Sequence, residues 1–152
     1  MFEKKVGPIF GCIVALLMVV ASSSCATSEE ILHQNVKDQN ITKLGENLKQ
    51  GMNINEKDGY GFTPLIVAAY YGYGPVVKFL CEQGADVNAK NNDGMSALLY
   101  AVENGYNDCF NILMDYRADV NLINRQGHNA LWLANQYKRN DMIRKLEEAG
   151  AK

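Results

Sequence analysis

The sequence predicts an all-α solenoid of about four helix-turn-helix repeats that are joined by short hairpin loops. The first observation behind this fold class is the spacing of Gly61, Gly94 and Gly127, which stand 33 residues apart. The second is that apolar residues and asparagines recur with the same period. A fixed period of this length indicates one supersecondary unit copied in tandem. The other periodic residues are Leu65, Leu98 and Leu131, Ala68, Ala101 and Ala134, Leu80, Leu113 and Leu146, and Asn55, Asn88 and Asn121.

The clearest unit covers residues 58–90 and begins with a turn and a short helix. Residues 58–61 include two glycines, which are free to take the positive φ that tight turns need. Thr63 is a good N-cap, and Pro64 suits the first helical position because its missing N–H costs nothing there. Gly72 is placed to end this helix. The capping residues at the same position of the next two copies are Ser96 and Asn129.

A second helix is predicted to begin at residues 74–75 and to end at Gly84, which suits the left-handed region. The equivalent starts, residues 107–108 and 140–141, read Asn-Asp, and we expect Asn to cap the helix and Asp to complement its positive end. Residues 85–88 then lead to the next turn as an extended segment. Because no copy buries its apolar face alone, the copies must stack.

This pattern resembles an ankyrin repeat. Residues 61–65 read Gly-Phe-Thr-Pro-Leu, and residues 84–88 read Gly-Ala-Asp-Val-Asn. The resemblance covers residues 28–151 and implies an ankyrin-repeat domain whose first copy is degenerate. Thr27 and Glu30 fit a capping box that starts this first copy. The implied repeats are residues 28–57, 58–90, 91–123 and 124–151.

Two helix ends depart from the repeat pattern. Arg117 stands at a position where the second and fourth copies carry glycine, and Lys138 stands at one where the second and third copies carry glycine. A non-glycine residue at positive φ costs about 1 kcal/mol, so the sequence predicts local backbone strain at both positions.

Residues 1–24 have the layout of a secretory signal peptide. Lys4 and Lys5 precede an apolar run over residues 9–21, and small residues follow. As a helix this run reaches roughly 20 Å, which is short of the ~30 Å hydrocarbon core. We therefore expect export rather than a permanent transmembrane anchor.

The site of cleavage has two interpretations. Residues 22–25 read Ser-Ser-Ser-Cys and resemble a bacterial lipobox, although Ser22 replaces the usual Leu; this interpretation makes Cys25 the lipid-modified first residue. Cleavage after Ala26, with soluble export to the periplasm or beyond, is the alternative. Both place the protein outside the cytoplasm of a bacterium, in the envelope if it is lipid-anchored. The choice between the inner and the outer membrane stays open, although Ala26 after Cys25 resembles lipoproteins that are sorted to the outer membrane.

The composition argues against several classes of function. The net charge is −2, and no basic cluster of the kind that binds nucleic acid is present. His33 and His128 lie far apart without partners at metal-ligand spacing, and no catalytic motif or phosphate loop is present. Cys81 and Cys109 are expected on register to lie too far apart for a disulfide and to stay reduced. We therefore expect no enzyme activity, no metal and no cofactor.

The ankyrin resemblance implies a monomeric module that binds another protein through its concave surface. The leading hypothesis is binding of an envelope or secreted protein; the alternatives are inhibition of a toxin or periplasmic enzyme, as an immunity protein does, and delivery to a host cell as an effector. The implied partner-binding positions are Tyr60, Phe62, Tyr70 and Tyr71 in the second copy, Asn92, Asp93, Met95, Glu103 and Asn104 in the third, and Arg125, Gln126, His128 and Tyr137 in the fourth. Gly59, Gln136, Lys37 and Asp38 occupy related positions.

Four of the five mapped positions in the second copy are aromatic, although aromatic residues make up 9% of the chain. Tyrosine offers a large contact area at a low cost in rotamer entropy. We therefore place the centre of the binding surface at Tyr60, Tyr70 and Tyr71. The alternative is that these rings cover the degenerate first copy or pack among themselves.

Overall fold

The computed structural model describes residues 26–152, and this range holds eight α-helices. The signal peptide and Cys25 lie outside the described residues. Within the described part, none of the helices is long and apolar enough to cross a membrane. The helices are α1 (Ser28–Lys37), α2 (Ile41–Lys49), α3 (Pro64–Tyr71), α4 (Gly74–Glu82), α5 (Ala97–Asn104), α6 (Asn107–Asp115), α7 (Ala130–Gln136) and α8 (Asn140–Glu148).

The helices form four pairs, and the pairs stack. In each pair the two helices contact each other: α1 with α2, α3 with α4, α5 with α6, and α7 with α8. The first helices also contact the first helices of their neighbours, in the order α1, α3, α5, α7, and α4 packs against α6. This arrangement confirms the predicted all-α solenoid.

The periodic apolar residues form the core between the pairs. The three alanines of the period, at the middle of the first helices, have no exposed surface, so neighbouring first helices approach closely. The leucines of the second helices are equally buried. Burying one leucine contributes about 1.5–3 kcal/mol, so each copy gains most of its stability from its neighbours. The residues are Ala68, Ala101 and Ala134, and Leu80, Leu113 and Leu146.

The first helices begin as the sequence predicts. The Thr63 hydroxyl accepts a hydrogen bond from the Ile66 N–H, and Pro64 occupies the first helical position. Thr27 and Glu30 form both bonds of the capping box at the start of α1. Ser96 and Asn129 cap α5 and α7 in the same way as Thr63 caps α3.

The predicted capping of the second helices is wrong. Asn107 and Asn140 lie inside α6 and α8, and the N-caps are Tyr106 and Arg139, which make no side-chain cap bond. At the equivalent start of α4, Tyr73 has φ −81° and ψ 73°, and the Gly74 N–H bonds to the carbonyl of residue 72. These angles are those of an inverse γ-turn, so the backbone itself reverses the chain between the two helices.

The sequence predicted an extended segment over residues 85–88, and this prediction is wrong. The segment after the second helix is a turn. The Asp86 carboxylate accepts the Asn88 N–H at 3.0 Å, and Asp119 accepts the Asn121 N–H at 2.9 Å. An Asp side chain that bonds two residues ahead forms an Asx turn, which explains why the periodic pattern has Asp two positions before Asn.

The periodic asparagines link one copy to the next. The Asn55 side chain accepts the Asp86 N–H at 2.8 Å, and the Asn88 side chain accepts the Asp119 N–H at 2.8 Å. Asn121 accepts the Lys152 N–H at 3.1 Å. These bonds satisfy loop donors and fix the register between copies, which is the physical reason for the period of asparagine.

The predicted left-handed positions are confirmed. Arg117 has φ 58° and Lys138 has φ 56°, and Gln39, which the sequence analysis did not single out, has φ 53°. The glycine equivalent to Arg117 in the preceding copy, Gly84, has φ 83° and open space around its would-be Cβ. A side chain at position 84 would therefore be disfavoured by backbone strain and not by crowding.

We expect Arg117→Gly to raise the free energy of unfolding by about 1 kcal/mol, because glycine removes the left-handed strain. This corresponds to a rise in melting temperature of about 2–5 °C. Thermal unfolding of Arg117→Gly beside Arg117→Ala is the measurement; alanine removes the same side chain but keeps the strain. A gain shared equally by both variants would assign the effect to the arginine side chain instead.

Cys81 and Cys109 are free and buried thiols, as predicted. Burial raises the pKa of each thiol to about 11. Since the thiolate is the reactive form, both side chains are expected to be inert in the folded protein.

Alkylation in the native state should therefore leave Cys81 and Cys109 unmodified. After denaturation without a reductant, both should be alkylated, because no disulfide protects them. Peptide-resolved mass analysis of the two reactions makes the comparison. A peptide pair that is lighter by two hydrogens and resists alkylation after denaturation would show a disulfide.

Candidate protein-binding surface

The predicted site residues gather on one side of the stack, which we call the inner face: the first helices α1, α3, α5 and α7 with the loops that precede them. Two grooves lie on this face, with volumes of about 330 Å³ and about 500 Å³. The smaller, here the aromatic groove, is lined by Lys37, Asp58, Tyr60, Phe62, Val67, Tyr70, Tyr71 and Tyr100. The larger, here the polar groove, is lined by Asp93, Met95, Tyr100, Glu103, Asn124, Arg125, Gln126, His128, Trp132, Leu133, Gln136 and Tyr137.

The loops that carry the site residues are built around one side-chain oxygen each. The Asp58 carboxylate accepts the N–H groups of Tyr60 and Phe62, at 2.9 and 2.8 Å. Asn91 and Asn124 hold the next two loops in the same way. Each loop is thereby fixed before a partner arrives, which lowers the entropy cost of binding.

Successive loops also bond to each other. The Asn92 N–H donates to the Tyr60 carbonyl at 3.0 Å, and the Arg125 N–H donates to the Asp93 carbonyl at 2.9 Å. The predicted site residues Asn92 and Asn104 add side-chain bonds, to the carbonyls of residues 59 and 70, both at 3.3 Å. These two amides therefore tie copies together and have fewer donors left for a partner than their positions suggested.

Four rings of the aromatic groove pack against one another. Tyr70 meets Phe62, Tyr71 and Tyr100 edge to face, with ring centroids 6.2, 5.1 and 5.2 Å apart. Phe62 and Tyr100 stack at 5.7 Å. The alternative that the rings pack among themselves therefore holds for Phe62, Tyr70 and Tyr71, although the two tyrosines keep 43% and 44% of their surface exposed.

Tyr60 is different, because it is 76% exposed and lies at the tip of its loop. Its backbone is held by Asp58 and Asn92, while its ring is free to meet a partner. An exposed ring on a fixed backbone is suited to anchor an interface.

The placement of Met95 at an exposed contact position is wrong. Met95 is 7% exposed, and its sulfur accepts a hydrogen bond from the Asn124 amide at 3.7 Å. The residue lies at the floor of the polar groove because the next loop folds over it. Its equivalent in the second copy, Phe62, is half-buried.

The polar groove has a charged wall on α5 and the turn after α7. The Tyr137 hydroxyl donates to the Glu103 carboxylate at 3.2 Å, and Arg139 donates to the Glu103 carbonyl at 3.2 Å. The negative charge of Glu103 raises the pKa of Tyr137. Burial raises the pKa of Tyr100, and the negative charges of Asp93 and Glu103 add to this rise.

Part of the lining, here the aromatic wall, is a stacked pair of rings. His128 and Trp132 lie face to face, with centroids 3.4 Å apart and planes 5° from parallel. Trp132 is 44% exposed. Arg125 and Gln126, at the tip of the fourth loop, are exposed beside this pair.

Sequence reasoning missed Tyr100 and Trp132. Trp132 occupies the position of Ile66 and Leu99, which are buried in the stack, so the period marked it as core. Tyr100 occupies the position of Val67, and its ring lines both grooves. The sequence did contain a signal for both residues, because each is a large aromatic residue at a position that is aliphatic in another copy.

Lys37 lines the aromatic groove and Gln136 lines the polar groove. Residues 26–152 contain no group of three or more His, Cys, Asp or Glu side chains that is placed to hold a metal ion. The predicted lipidation site, Cys25, falls outside this range.

Comparison with known families gives two overlapping matches. The family described as ankyrin repeats (many copies) matches residues 48–101. The family described as ankyrin repeats (3 copies) matches residues 84–152. No curated protein matches the chain significantly. The two matches together span residues 48–152, which includes both sides of the polar groove and most of the aromatic groove.

Proposed function

The chain belongs to the ankyrin-repeat family, and we propose that it is an exported, monomeric module that binds another protein through the inner face. Ankyrin repeats generally mediate protein–protein interactions and are typically non-enzymatic. The observation that carries the proposal is the clustering of exposed rings. Of the eight large hydrophobic residues that are exposed in residues 26–152, five line the two grooves. They are Tyr60, Tyr70, Tyr71, Trp132 and Tyr137.

Physical reasoning supports this surface over the rest of the molecule. Exposed rings are costly in water, and a concentration of them on one face marks an interaction site. Tyr and Trp are also the residues that most often dominate binding energy. The charged groups that line the polar groove, Asp93, Glu103 and Arg125, suit a polar rim around these anchors.

Capture of the partner tests the proposal. The purified chain is immobilised and exposed to envelope extract of the source cells, beside a variant in which Tyr60 and Trp132 are both alanine. We expect one protein to be retained by the first and lost from the second. A toxin or enzyme as that protein supports the inhibitor hypothesis, and a structural envelope protein supports a scaffold. Equal retention by both chains would contradict binding through the inner face.

Export and anchoring form a separate part of the proposal, supported by the signal-like residues 1–24. Cys25 is proposed as the lipidated residue and the cell envelope as the location. Metabolic labelling with a lipid precursor compares the native chain with Cys25→Ala. Label in the native chain alone supports the anchor, whereas two unlabelled chains in the soluble fraction leave cleavage after Ala26 as the better interpretation.

A further inference from the structure

We infer that the polar groove takes an arginine side chain of the partner, with the planar guanidinium against Trp132 and facing Asp93 and Glu103. This inference rests on the proposed function and names the chemistry that one part of the surface recognises. The polar groove has a volume of about 500 Å³, which is ample for one long side chain.

The aromatic wall favours a flat cation. Trp132 is 44% exposed and is held in place by its stack with His128. Tyr137, also 44% exposed, stands on the same groove and is tied to Glu103 through its hydroxyl. A guanidinium stacks on such faces and is more weakly hydrated than an ammonium, so arginine loses less on entering the groove than lysine does.

The charges of the lining supply the complementary part. Asp93 and Glu103 face the groove, and neither has a Lys, Arg or His nitrogen within 4 Å of its carboxylate in residues 26–152. Glu103 accepts one hydrogen bond, from Tyr137, and so keeps acceptor capacity for a guanidinium. Arg125 also lines the groove, and its charge opposes a second cation. Among the lining residues the two carboxylates outnumber this guanidinium, and the guanidinium of Arg139, which lies outside the lining, is bonded to the Glu103 carbonyl.

The floor of the groove adds a polar contact. Tyr100 is buried, and its hydroxyl accepts a hydrogen bond from the Asn91 amide at 3.0 Å. Because this ring lines both grooves, an arginine in the polar groove lies beside whatever fills the aromatic groove. The partner therefore presents its arginine next to a segment that covers Tyr60 and Tyr70.

Trp132 makes the test direct, since it is the only tryptophan of the chain. The full chain is titrated with the peptide Ac-Gly-Arg-Gly-NH₂ while the tryptophan fluorescence is followed. We expect a saturable change with a dissociation constant in the millimolar range. The matched peptides with citrulline, which is neutral and isosteric, and with lysine, which is charged but not planar, should bind at least several-fold more weakly. The absence of a saturable change, or equal binding of either matched peptide, would overturn the inference.

Variants of the chain locate the site. The double substitution Asp93→Asn with Glu103→Gln should weaken binding of the arginine peptide by about tenfold, whereas Arg125→Gln should strengthen it. Asp141→Asn, which neutralises an exposed carboxylate on α8, is the control and should have no effect. If the control and the double variant weaken binding of the arginine peptide equally, the overall charge of the chain explains the effect and the inference is contradicted. Partner capture by the unmodified chain is independent of these titrations, so failure here leaves the proposed function standing.

Discussion

Gly61→Ala should lower the free energy of unfolding by about 2–4 kcal/mol, whereas the same change at Gly127 should cost only about 1 kcal/mol. Both glycines have positive φ, 80° and 82°, so both variants carry the same left-handed strain. They differ in their surroundings. A Cβ on Gly61 would lie 2.6 Å from the Asn92 side-chain oxygen and 2.8 Å from its backbone nitrogen. Nothing lies within 4 Å of the Cβ position of Gly127.

The expected difference measures the contact between neighbouring loops. Asn92 donates its N–H to the Tyr60 carbonyl, and a methyl group on Gly61 pushes the two loops apart at that bond. Chemical denaturation of the two variants gives the two free energies of unfolding. The comparison requires that the free energy falls with denaturant concentration at the same slope in both variants. Equal losses would show that strain alone decides the cost and that the close approach of the loops is not needed for stability.

Tyr60→Ala should weaken partner binding by about 1–3 kcal/mol without changing the melting temperature. The ring is 76% exposed, and the backbone bonds of residue 60 do not depend on it. Tyr70→Ala should weaken binding by a similar amount but should also destabilise the fold by about 1–3 kcal/mol, because its ring contacts three others.

Affinity and thermal unfolding are measured for both tyrosine variants, with Tyr116→Ala as the control. Tyr116 is 38% exposed and lines neither groove. From the sequence, Tyr70 was placed at the centre of the binding surface, and its packing against three other rings adds a role in stability. If Tyr60→Ala binds the partner as tightly as the unchanged chain, the ring at the loop tip is not an anchor.

The fold was predictable because its determinants are local and repeated. Thr63 and Pro64 define the start of a helix within a few residues, and the period carries that definition to Ser96 and Asn129. The left-handed φ of Arg117 followed from its register with Gly84 alone. The starts of the second helices were not predictable in this way, because the backbone at Tyr106 and Arg139 makes the reversal without a side-chain cap.

The candidate site was predictable only in part, because it depends on packing between copies. A register position does not reveal that the next loop covers Met95, or that the ring of Tyr100 reaches two grooves. Trp132 sits at a core position of the period, yet 44% of its surface is exposed. Asn92 looks like a free contact residue in the sequence, and its hydrogen bond to residue 59 becomes visible only once the loops are placed.

The central claim, that the partner docks on the inner face, is tested most directly by hydroxyl-radical footprinting of the chain with and without the captured partner. The account predicts that oxidation of the inner-face rings falls in the complex, while oxidation of Tyr106 and Tyr116, which line neither groove, is unchanged. The inner-face rings are Tyr60, Tyr70, Tyr71, Trp132 and Tyr137. Protection of Tyr106 and Tyr116 with unchanged oxidation of the inner-face rings would contradict the account.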